Sequence, residues 1–184
     1  MRVIAGRWKG RRLTAGWNEV MRPTTDRVKE AIFSILDSRV QDAEVVDLCC
    51  GAGGLGIEAL SRGSVFAHFV DLAPTALKMV QTNLDNCGAD TASYRLERSE
   101  AVRWLTRFVC QVMKRSVVVL ADPPYGFSVF SNLADTLLNS PRTFPLQVAV
   151  LEHAGDQNWE PYKSSRFRYR LRRYGHTSLT ILEA

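Results

Sequence analysis

Short apolar runs alternate with amphipathic segments through the middle of the chain, and this alternation restricts the fold more than any other feature of the sequence. Five apolar runs, the first four each followed by a segment with helical spacing, predict strands at "EVVDL", "VFAHFV", "SYRLER", "SVVVLA" and "QVAVLEH". Strict alternation of this kind predicts an α/β fold with a mostly parallel sheet and helices on both faces. Ligands of such sheets bind beyond the carboxyl ends of the strands, where the strand order reverses.

Helix signals flank these strands. A first helix is predicted over "RPTTDRVKEAIFSIL", where Thr24 or Thr25 can cap the N-terminus. The later helices are predicted over "GLGIEALSRG", "PTALKMVQTNLDNCG", "EAVRWLTRFVCQVM" and "VFSNLADTLLNS". Pro74 begins the second of these and Gly88 follows its end, as capping preferences require. The terminal "FRYRLRRYGHTSLTILEA" predicts an antiparallel hairpin at one edge of the sheet, and "RVIAGRWKGRRL" predicts a short basic β-hairpin at the N-terminus.

Positive charge is concentrated at the two ends of the chain, although the formal net charge is only +5. Residues 1–29 hold eight Lys or Arg against two acidic residues, and residues 160–174 hold six against one. Clustered arginines bind phosphates, and interleaved aromatic rings can stack on unpaired bases. The pattern therefore favours polyanion binding over a merely solvated surface. We expect a basic N-terminal arm over residues 1–21 and one domain over residues 22–184.

Several classes of protein are disfavoured by the remaining composition. The N-terminus lacks the apolar stretch of a signal peptide, and no apolar run approaches the roughly 18 residues of a membrane span, which predicts a soluble, cytoplasmic protein. No C-x-x-C pair occurs, and His68, His153 and His176 lack metal-ligand spacing, so we expect no metal and interpret these histidines as structural or surface residues. The adjacent Cys49 and Cys50 are interpreted as small packing residues rather than a vicinal disulfide.

A glycine-rich segment, "DLCCGAGGLG", follows the first strand and opens the next helix. Gly51, Gly53 and Gly56 spell G-x-G-x-x-G, and Asp71 follows at the end of the second strand, so every element of the dinucleotide fingerprint is present. Asp47 favours a different ligand, because a carboxylate just before the loop would repel a pyrophosphate. It suits S-adenosylmethionine, which carries an ammonium and a sulfonium. The sequence therefore favours S-adenosylmethionine over NAD, with a ligand-free turn as the third alternative.

The remaining parts of the cofactor are expected along the same edge of the sheet. Asp71 suits a ribose diol, and Leu72 follows it in the chain. Glu100 and Ala101 come after the third strand, where an adenine ring is expected, with Glu100 or backbone groups near its amine. A helix that starts at Ser99 with Glu100 in its first turn would give the same pattern.

The fourth strand ends in "ADPPYG", which offers hydrogen-bond acceptors and no donors at its first positions. Asp122 presents a carboxylate, and the carbonyl of Pro123 is held in an extended conformation by Pro124. Tyr125 adds a flat face on which a base can stack. This combination suits an exocyclic amino group, which has two N–H donors on one nitrogen, on a base taken out of its stack. The alternative is an ordinary proline-rich turn.

These segments occur together in one known family. Along nearly its whole length the chain resembles the bacterial 16S rRNA (guanine-N2)-methyltransferases of the RsmD type. The resemblance is carried by "RVIAGRWKGRRL", "RPTTDRVKEAIFSIL", "DLCCGAGGLGIEALSRG", "FVD", "ADPPYG" and "YGHTSL". The R-P-T-T-D-R-V run is specific to this family, whereas D-P-P-Y is shared with DNA adenine methyltransferases. The chain departs from the family pattern at Cys49-Cys50, at Asp71 in place of Glu, and at His176 in place of Asp.

The resemblance implies a Rossmann-like class I methyltransferase fold, S-adenosylmethionine as donor, and a guanine of 16S rRNA within an assembling 30S subunit as acceptor. A monomer is expected. The residues implied for the target amine are Asp122, Pro123, Pro124 and Tyr125. Those expected to hold the cofactor are Asp47, Gly51, Gly53, Asp71, Leu72, Glu100 and Ala101. Those expected to bind RNA are Arg7, Lys9, Arg11, Arg12 and Arg22.

Three other functions remain as alternatives at this point. A DNA adenine-N6 methyltransferase shares the D-P-P-Y motif, but 184 residues leave little room for a target-recognition domain. A NAD-dependent oxidoreductase would use the glycine loop differently. A binding-only RNA-assembly protein would need no catalysis.

Overall fold

The computed structural model describes residues 1–15, 25–124, 127–155, 159 and 166–184. The helices in these ranges are α1 (Asp26–Leu36), α2 (Gly54–Ser61), α3 (Pro74–Cys87), α4 (Ala101–Phe108) and α5 (Phe127–Leu138). The strands are β1 (Glu44–Leu48), β2 (Phe66–Asp71), β3 (Tyr94–Arg98), β4 (Val117–Ala121), β5 (Leu146–Ala154), β6 (Arg168–Tyr174) and β7 (Thr177–Glu183). Two 3-10 helices occur at Asp37–Val40 and Thr91–Ser93. In the part of the chain that is described, no helix has the length and apolar character to cross a membrane.

The strands form one seven-stranded sheet in the order β3-β2-β1-β4-β5-β7-β6. β1 to β5 are mutually parallel, and β7 pairs antiparallel with both β5 and β6. The chain runs outward from β1 to β3 and then returns to β4 on the other side of β1, so the strand order reverses between β1 and β4. The predicted parallel sheet with a C-terminal antiparallel hairpin is confirmed.

Strand register brings the ends of three strands to one level. Leu48, the last residue of β1, lies opposite Val70 of β2 and Ala121 of β4. The residues that follow these positions therefore leave the sheet side by side. All five residues of β4 are buried, as are the last four of β1, which is typical of parallel strands covered on both faces.

Helices cover both faces of the sheet. On one face, α1 and α2 pack over the central strands, and α2, α3 and residues 1–15 pack over β2. On the other face, α4 and α5 pack over the same strands. Two helices begin where the sequence predicted. Thr25 caps α1 by accepting the Val28 N–H at 3.3 Å, and Pro74 is the first residue of α3. Gly88 follows α3 in the left-handed conformation.

Helix α4 is shorter than the "EAVRWLTRFVCQVM" segment predicted. It ends at Phe108, and its buried residues are Ala101, Trp104, Leu105 and Phe108. Val109, just after the helix, is still buried, but Val112 is 98% exposed, so a further helical turn would bury little more apolar surface. Because short helices depend on packing for their stability, the apolar pattern alone overestimated the length of the helix.

The predicted two-stranded hairpin at the N-terminus is not confirmed. Residues 1–15 contain no strand, and one isolated antiparallel bridge joins Arg2 to Arg12. These residues pack against α2 and α3 instead, burying Val3, Trp8 and Leu13 in the core. Backbone hydrogen bonds still join the two arms, among them that from the Val3 N–H to the carbonyl of Arg11 at 2.9 Å, but they do not make two regular strands. The boundary proposed between residues 21 and 22 lies outside the described residues and stays a prediction.

Glu58 of α2 is the main anchor of this N-terminal segment. Its carboxylate, fully buried, accepts the backbone N–H groups of Ile4 at 2.7 Å and Ala5 at 3.0 Å. It also pairs with the buried Lys29 ammonium at 3.5 Å and with Arg62 at 2.8 Å. The Lys29 ammonium donates in addition to the backbone carbonyl of Arg2. Burial lowers the pKa of Lys29, and the Glu58 charge opposes that shift.

We therefore expect Glu58→Ala to lower the free energy of unfolding by about 3–5 kcal/mol, because it leaves the Lys29 ammonium buried without its carboxylate. Urea unfolding followed by circular dichroism measures this. The matched control is Glu30→Ala on the exposed side of α1, which should change stability by less than about 0.5 kcal/mol. Equal stability of the two variants would contradict this assignment of Glu58.

Candidate active site

A cleft of about 730 Å³ opens at the carboxyl ends of the parallel strands. This size is typical of small-molecule and cofactor sites. Its walls come from the segments after β1, β2, β3, β4 and β5, from the start of β7 and from α1. It lies over the reversal of strand order between β1 and β4, where ligands of open α/β sheets bind.

The glycine loop after β1 forms the floor of the cleft through an unusual backbone. Gly51 and Gly53 both have positive φ, at 52° and 79°. Cys49 has a φ of 56°, a left-handed conformation that non-glycine residues adopt at a cost of about 1–2 kcal/mol. Gly56 is required by packing instead, because a Cβ there would lie 2.4 Å from Phe69 Cε1. The loop thereby brings α2 close to β2.

Asp47 lies beneath this loop, 2% exposed, and borders the cleft. Its Oδ2 accepts the N–H of Gly56 at 2.8 Å. Burial raises the pKa of Asp47 well above its usual range, the Gly56 N–H opposes this, and the charges of Asp122 and Asp71 raise the pKa further. A cation bound beside these carboxylates would relieve their mutual repulsion.

Asp71 connects the end of β2 to the glycine loop. Its Oδ2 accepts the N–H of Gly51 at 3.0 Å, and its Oδ1 accepts the N–H of Ala73 at 2.9 Å. A carboxylate has about four lone-pair positions, so it can still accept hydrogen bonds from a ligand. Leu72, which comes next, is 62% exposed and lines the cleft, offering an apolar surface to a flat ring.

Glu100 and Ala101 form the next part of the wall. The Glu100 carboxylate caps α4, accepting the N–H groups of Val102 at 2.9 Å and Arg103 at 2.7 Å. The N-cap of α4 is thus Glu100. The sequence had also allowed a helix that starts at Ser99, one position earlier. Because the Glu100 carboxylate already accepts two hydrogen bonds in the cap, we expect an adenine ring to bind to backbone groups of this segment instead.

The rim after β4 faces the cofactor loop across the cleft. Asp122 is half-buried, Pro123 is buried and Pro124 is exposed, and all three line the cleft. The Asp122 N–H donates to the carbonyl of Leu48 at 3.3 Å, which ties the rim to the end of β1. Tyr125 lies outside the described residues.

The wall opposite the glycine loop contains residues that the sequence did not suggest. His153, at the end of β5, has its ring 4.5 Å from that of Phe130, and His176 contributes from the turn between β6 and β7. Burial lowers the pKa of His153, and its Nε2 lies 3.0 Å from Thr180 Oγ1. Both histidines were interpreted as structural or surface residues. Their positions at strand ends, like that of Asp122, were the signal that could have located them.

The predicted RNA-binding residues of the N-terminal segment lie away from the cleft. The N–H of Arg7 donates to the carbonyl of Ser61 at 2.9 Å, at the end of α2 remote from the cleft. Arg11 donates to the carbonyl of Asn86 at 2.9 Å. Arg7 lies over the Trp8 ring, and Arg7, Lys9, Arg11 and Arg12 are all exposed. Arg22 lies outside the described residues.

Asn83 connects the N-terminal segment to the cofactor loop. This fully buried side chain donates to the carbonyls of Thr14 and Ala52, both at 2.9 Å, and accepts the Thr14 N–H at 2.8 Å. Ala52 lies between the two left-handed glycines of the loop. The N-terminal segment therefore helps to hold the cofactor loop in place.

Comparison with known proteins assigns the chain to a family. The family described as Conserved hypothetical protein 95 matches residues 1–183. The chain belongs to this family. Ribosomal RNA small subunit methyltransferase D of Haemophilus influenzae is 30% identical over 165 residues, which cover 86% of this chain and 84% of that protein. The resemblance to the RsmD-type proteins is thereby confirmed.

Solved structures show the same fold. Hypothetical protein TTHA0928 of Thermus thermophilus superposes with a TM-score of 0.76 at 22% identity, covering 100% of this chain and 99% of that one. The SAM-dependent methyltransferase of Agrobacterium tumefaciens superposes with a TM-score of 0.62 at 14% identity, covering 94% and 66%. The Rossmann-like class I methyltransferase sheet predicted from the sequence is confirmed. The methyltransferase name of the Haemophilus influenzae relative agrees with the expectation that S-adenosylmethionine is the cofactor.

The cleft also determines the reactivity of its cysteine. Burial and the charges of Asp71, Asp122, Asp47 and Glu100 raise the pKa of Cys49 to about 12. At pH 8 only on the order of one part in 10⁴ of this thiol is the reactive thiolate. We expect iodoacetamide to modify the exposed Cys110 of the native protein and to spare Cys49, as read by peptide mass spectrometry.

Cys110→Ser serves as the control for this labelling experiment. It should take up almost no label when native and should be labelled at its remaining cysteines in urea. Labelling of native Cys49 as fast as Cys110 would show that the carboxylates do not suppress its ionisation.

Proposed function

We propose that the protein transfers a methyl group from S-adenosylmethionine to the exocyclic N2 amine of a guanine in 16S rRNA, within the assembling 30S subunit. The main observation behind this proposal is that two sites face each other across one cleft. One is the glycine loop with its neighbouring carboxylates, and the other is the rim at Asp122 and Pro123, which offers hydrogen-bond acceptors. The first suits a cationic cofactor without phosphates, and the second suits an amino group. The names of the relatives support an rRNA substrate.

The cofactor side of the cleft fits S-adenosylmethionine in charge and shape. Asp47 and the loop at Gly51 and Gly53 would hold its amino-acid end, where the neighbouring carboxylates Asp71 and Asp122 favour a cation. Asp71 would accept from the ribose hydroxyls, and Leu72 would pack on the adenine. When bound, the cofactor supplies an electrophilic methyl group on a positively charged sulfur.

The rim at Asp122 would prepare the acceptor. An amine on an aromatic base is a weak nucleophile because its lone pair is delocalised into the ring. The Asp122 carboxylate and the Pro123 carbonyl can accept its two N–H groups, which orients the nitrogen and directs the lone pair toward the methyl carbon. The same oxygens stabilise positive charge that develops on the nitrogen. Tyr125 is proposed to stack on the base.

The proposed methyl transfer changes no oxidation state and therefore needs no oxidant or reductant. A nitrogen–carbon bond forms as the carbon–sulfur bond breaks, and the bonding pair remains on sulfur as a neutral thioether. The nitrogen loses one proton, to Asp122 or to water. Among the described residues, no group of three or more His, Cys, Asp or Glu side chains is arranged to hold a metal ion.

Two alternative functions lose support from these findings. The carboxylates Asp47, Asp71 and Asp122 converge on the glycine loop and would repel the pyrophosphate of NAD. Family membership and the rRNA methyltransferase names of relatives favour RNA over DNA as the substrate.

We expect Asp122→Ala to reduce kcat for rRNA methylation at least 100-fold while the Kd for S-adenosylmethionine changes by less than about threefold. The reason is that Asp122 contacts the amine and not the cofactor. Transfer of tritium-labelled methyl groups measures the first quantity and calorimetry the second. Asp85→Ala, on the exposed surface of α3, is the control and should behave like the wild type. A fully active Asp122→Ala enzyme would refute the mechanism.

We also expect the N-terminal basic residues to bind RNA through phosphate contacts. Replacing Arg7, Arg11 and Arg12 with Gln should weaken rRNA binding and lower the slope of log K against log salt by about 2 to 3, since each phosphate contact contributes about 0.7–0.9. Filter binding over a series of KCl concentrations measures both effects. An unchanged slope would mean that these side chains merely solvate the surface.

A further inference from the structure

The arginine-rich strand β6 is not used by any step of the proposed reaction. Among the residues that the structure describes, it forms the edge of the sheet and pairs with β7 alone. Its sequence is Arg-Tyr-Arg-Leu-Arg-Arg-Tyr, and Arg168, Arg170 and Arg172 are exposed. An edge strand with this many cations calls for a specific explanation.

The three alternate arginines of β6 share one face of the sheet. Arg170 lies opposite Ile181 of β7, and Arg172 lies opposite Leu179. Both partners belong to the core beneath α1, so the arginines point to the α1 side. Side chains two residues apart on a strand are roughly 6.5–7 Å apart. Arg168, Arg170 and Arg172 therefore form a row of guanidinium groups along the sheet edge, here called the β6 arginine row.

Positive charge in this region exceeds negative charge. Glu183 accepts from Arg170 at 2.6 Å and from Arg39 at 2.7 Å, so one carboxylate serves two guanidinium groups. Within the described residues, Arg168 and Arg172 lie beyond ion-pair distance of any carboxylate. The β6 arginine row therefore carries positive charge that can bind the phosphates of a polyanion.

The direction of β6 leads this row to the cleft. Because β5 and β6 both run antiparallel to β7, β6 points the same way as the parallel strands. Its carboxyl end passes into the turn that contributes His176 and Thr177 to the cleft wall. The row therefore approaches the cleft from the side opposite the cofactor loop, with β7 and β5 between it and the rim at Asp122.

The N-terminal basic segment lies on the same face of the sheet, over β2, with α1 between it and β6. The two basic surfaces thus lie on the same face of the sheet, on either side of α1. A single strand of RNA crossing this face could contact both.

We propose that the β6 arginine row binds the phosphate backbone of the RNA segment flanking the target nucleotide and guides that nucleotide to the Asp122 side of the cleft. Guanidinium groups at this spacing suit successive phosphates of an extended strand. This inference rests on the proposed function, since it requires RNA as the substrate. The competing role is protection of the sheet edge, because charged side chains on edge strands oppose pairing between molecules.

The test compares Arg168→Gln/Arg172→Gln with Arg95→Gln/Arg107→Gln. The control removes the same charge from exposed positions on β3 and α4, away from the cleft. Arg170 is kept because it pairs with Glu183. Each protein is titrated with small-subunit rRNA over a series of KCl concentrations, and its oligomeric state is measured by sedimentation.

We expect the β6 variant to lower the salt slope by about 1.4–1.8, to raise KM for rRNA about tenfold and to leave kcat at saturating RNA within twofold. The Kd for S-adenosylmethionine should not change. A slope equal to that of the control would overturn the proposal, as would self-association of the variant with unaltered RNA binding. Failure of the wild-type enzyme to methylate rRNA would instead refute the proposed function, before any variant is compared.

Discussion

The alignment of β1 between β2 and β4 is the constraint on which the rest of the site depends. Leu48 lies level with Val70 and Ala121, so Cys49, Asp71 and Asp122 emerge together at one edge of the sheet. A shift of one residue would turn Asp47 to the other covered face of the sheet, away from the glycine loop, and would exchange the apolar residues between two cores that are packed for different side chains. Dense packing on both faces of these strands holds the register. The same packing thus positions the proposed methyl donor and acceptor.

Bringing carboxylates together in this way has an electrostatic cost. Burial raises the pKa of Asp47, and the charges of Asp122 and Asp71 raise it further, which is repulsion that a bound cation would relieve. The cost is tolerated because rigid elements surround the site. Asn83 connects the glycine loop to Thr14, and Glu58 connects α2 to the N-terminal segment. Residues 1–15 are therefore part of the scaffold of the site as well as a basic surface.

Much of this arrangement could be predicted from the sequence, because local signals and the global fold agree. The strand–helix order, the cap at Thr25, the stop at Gly88 and the glycine loop each follow from local chemistry. The failures came where tertiary packing decides. The N-terminal segment has the turn glycines of a hairpin and some of its backbone hydrogen bonds, but it forms no regular strands, and the side chains of Glu58 and Ser61 anchor it to the rest of the protein. His153 lies at the carboxyl end of β5, a position that the reasoning applied to Asp122 would also have located. His176 reaches the cleft because the hairpin of β6 and β7 joins the sheet beside β5, and the sequence does not give that strand order.

The identity of the methylated nucleoside tests the central claim most directly. Small-subunit rRNA from a strain that lacks this protein would be incubated with the purified enzyme and S-adenosylmethionine, digested to nucleosides and analysed by mass spectrometry. The proposed site predicts one new N2-methylguanosine per rRNA molecule. A new N6-methyladenosine, or no new methylated nucleoside on either naked rRNA or assembling subunits, would contradict it.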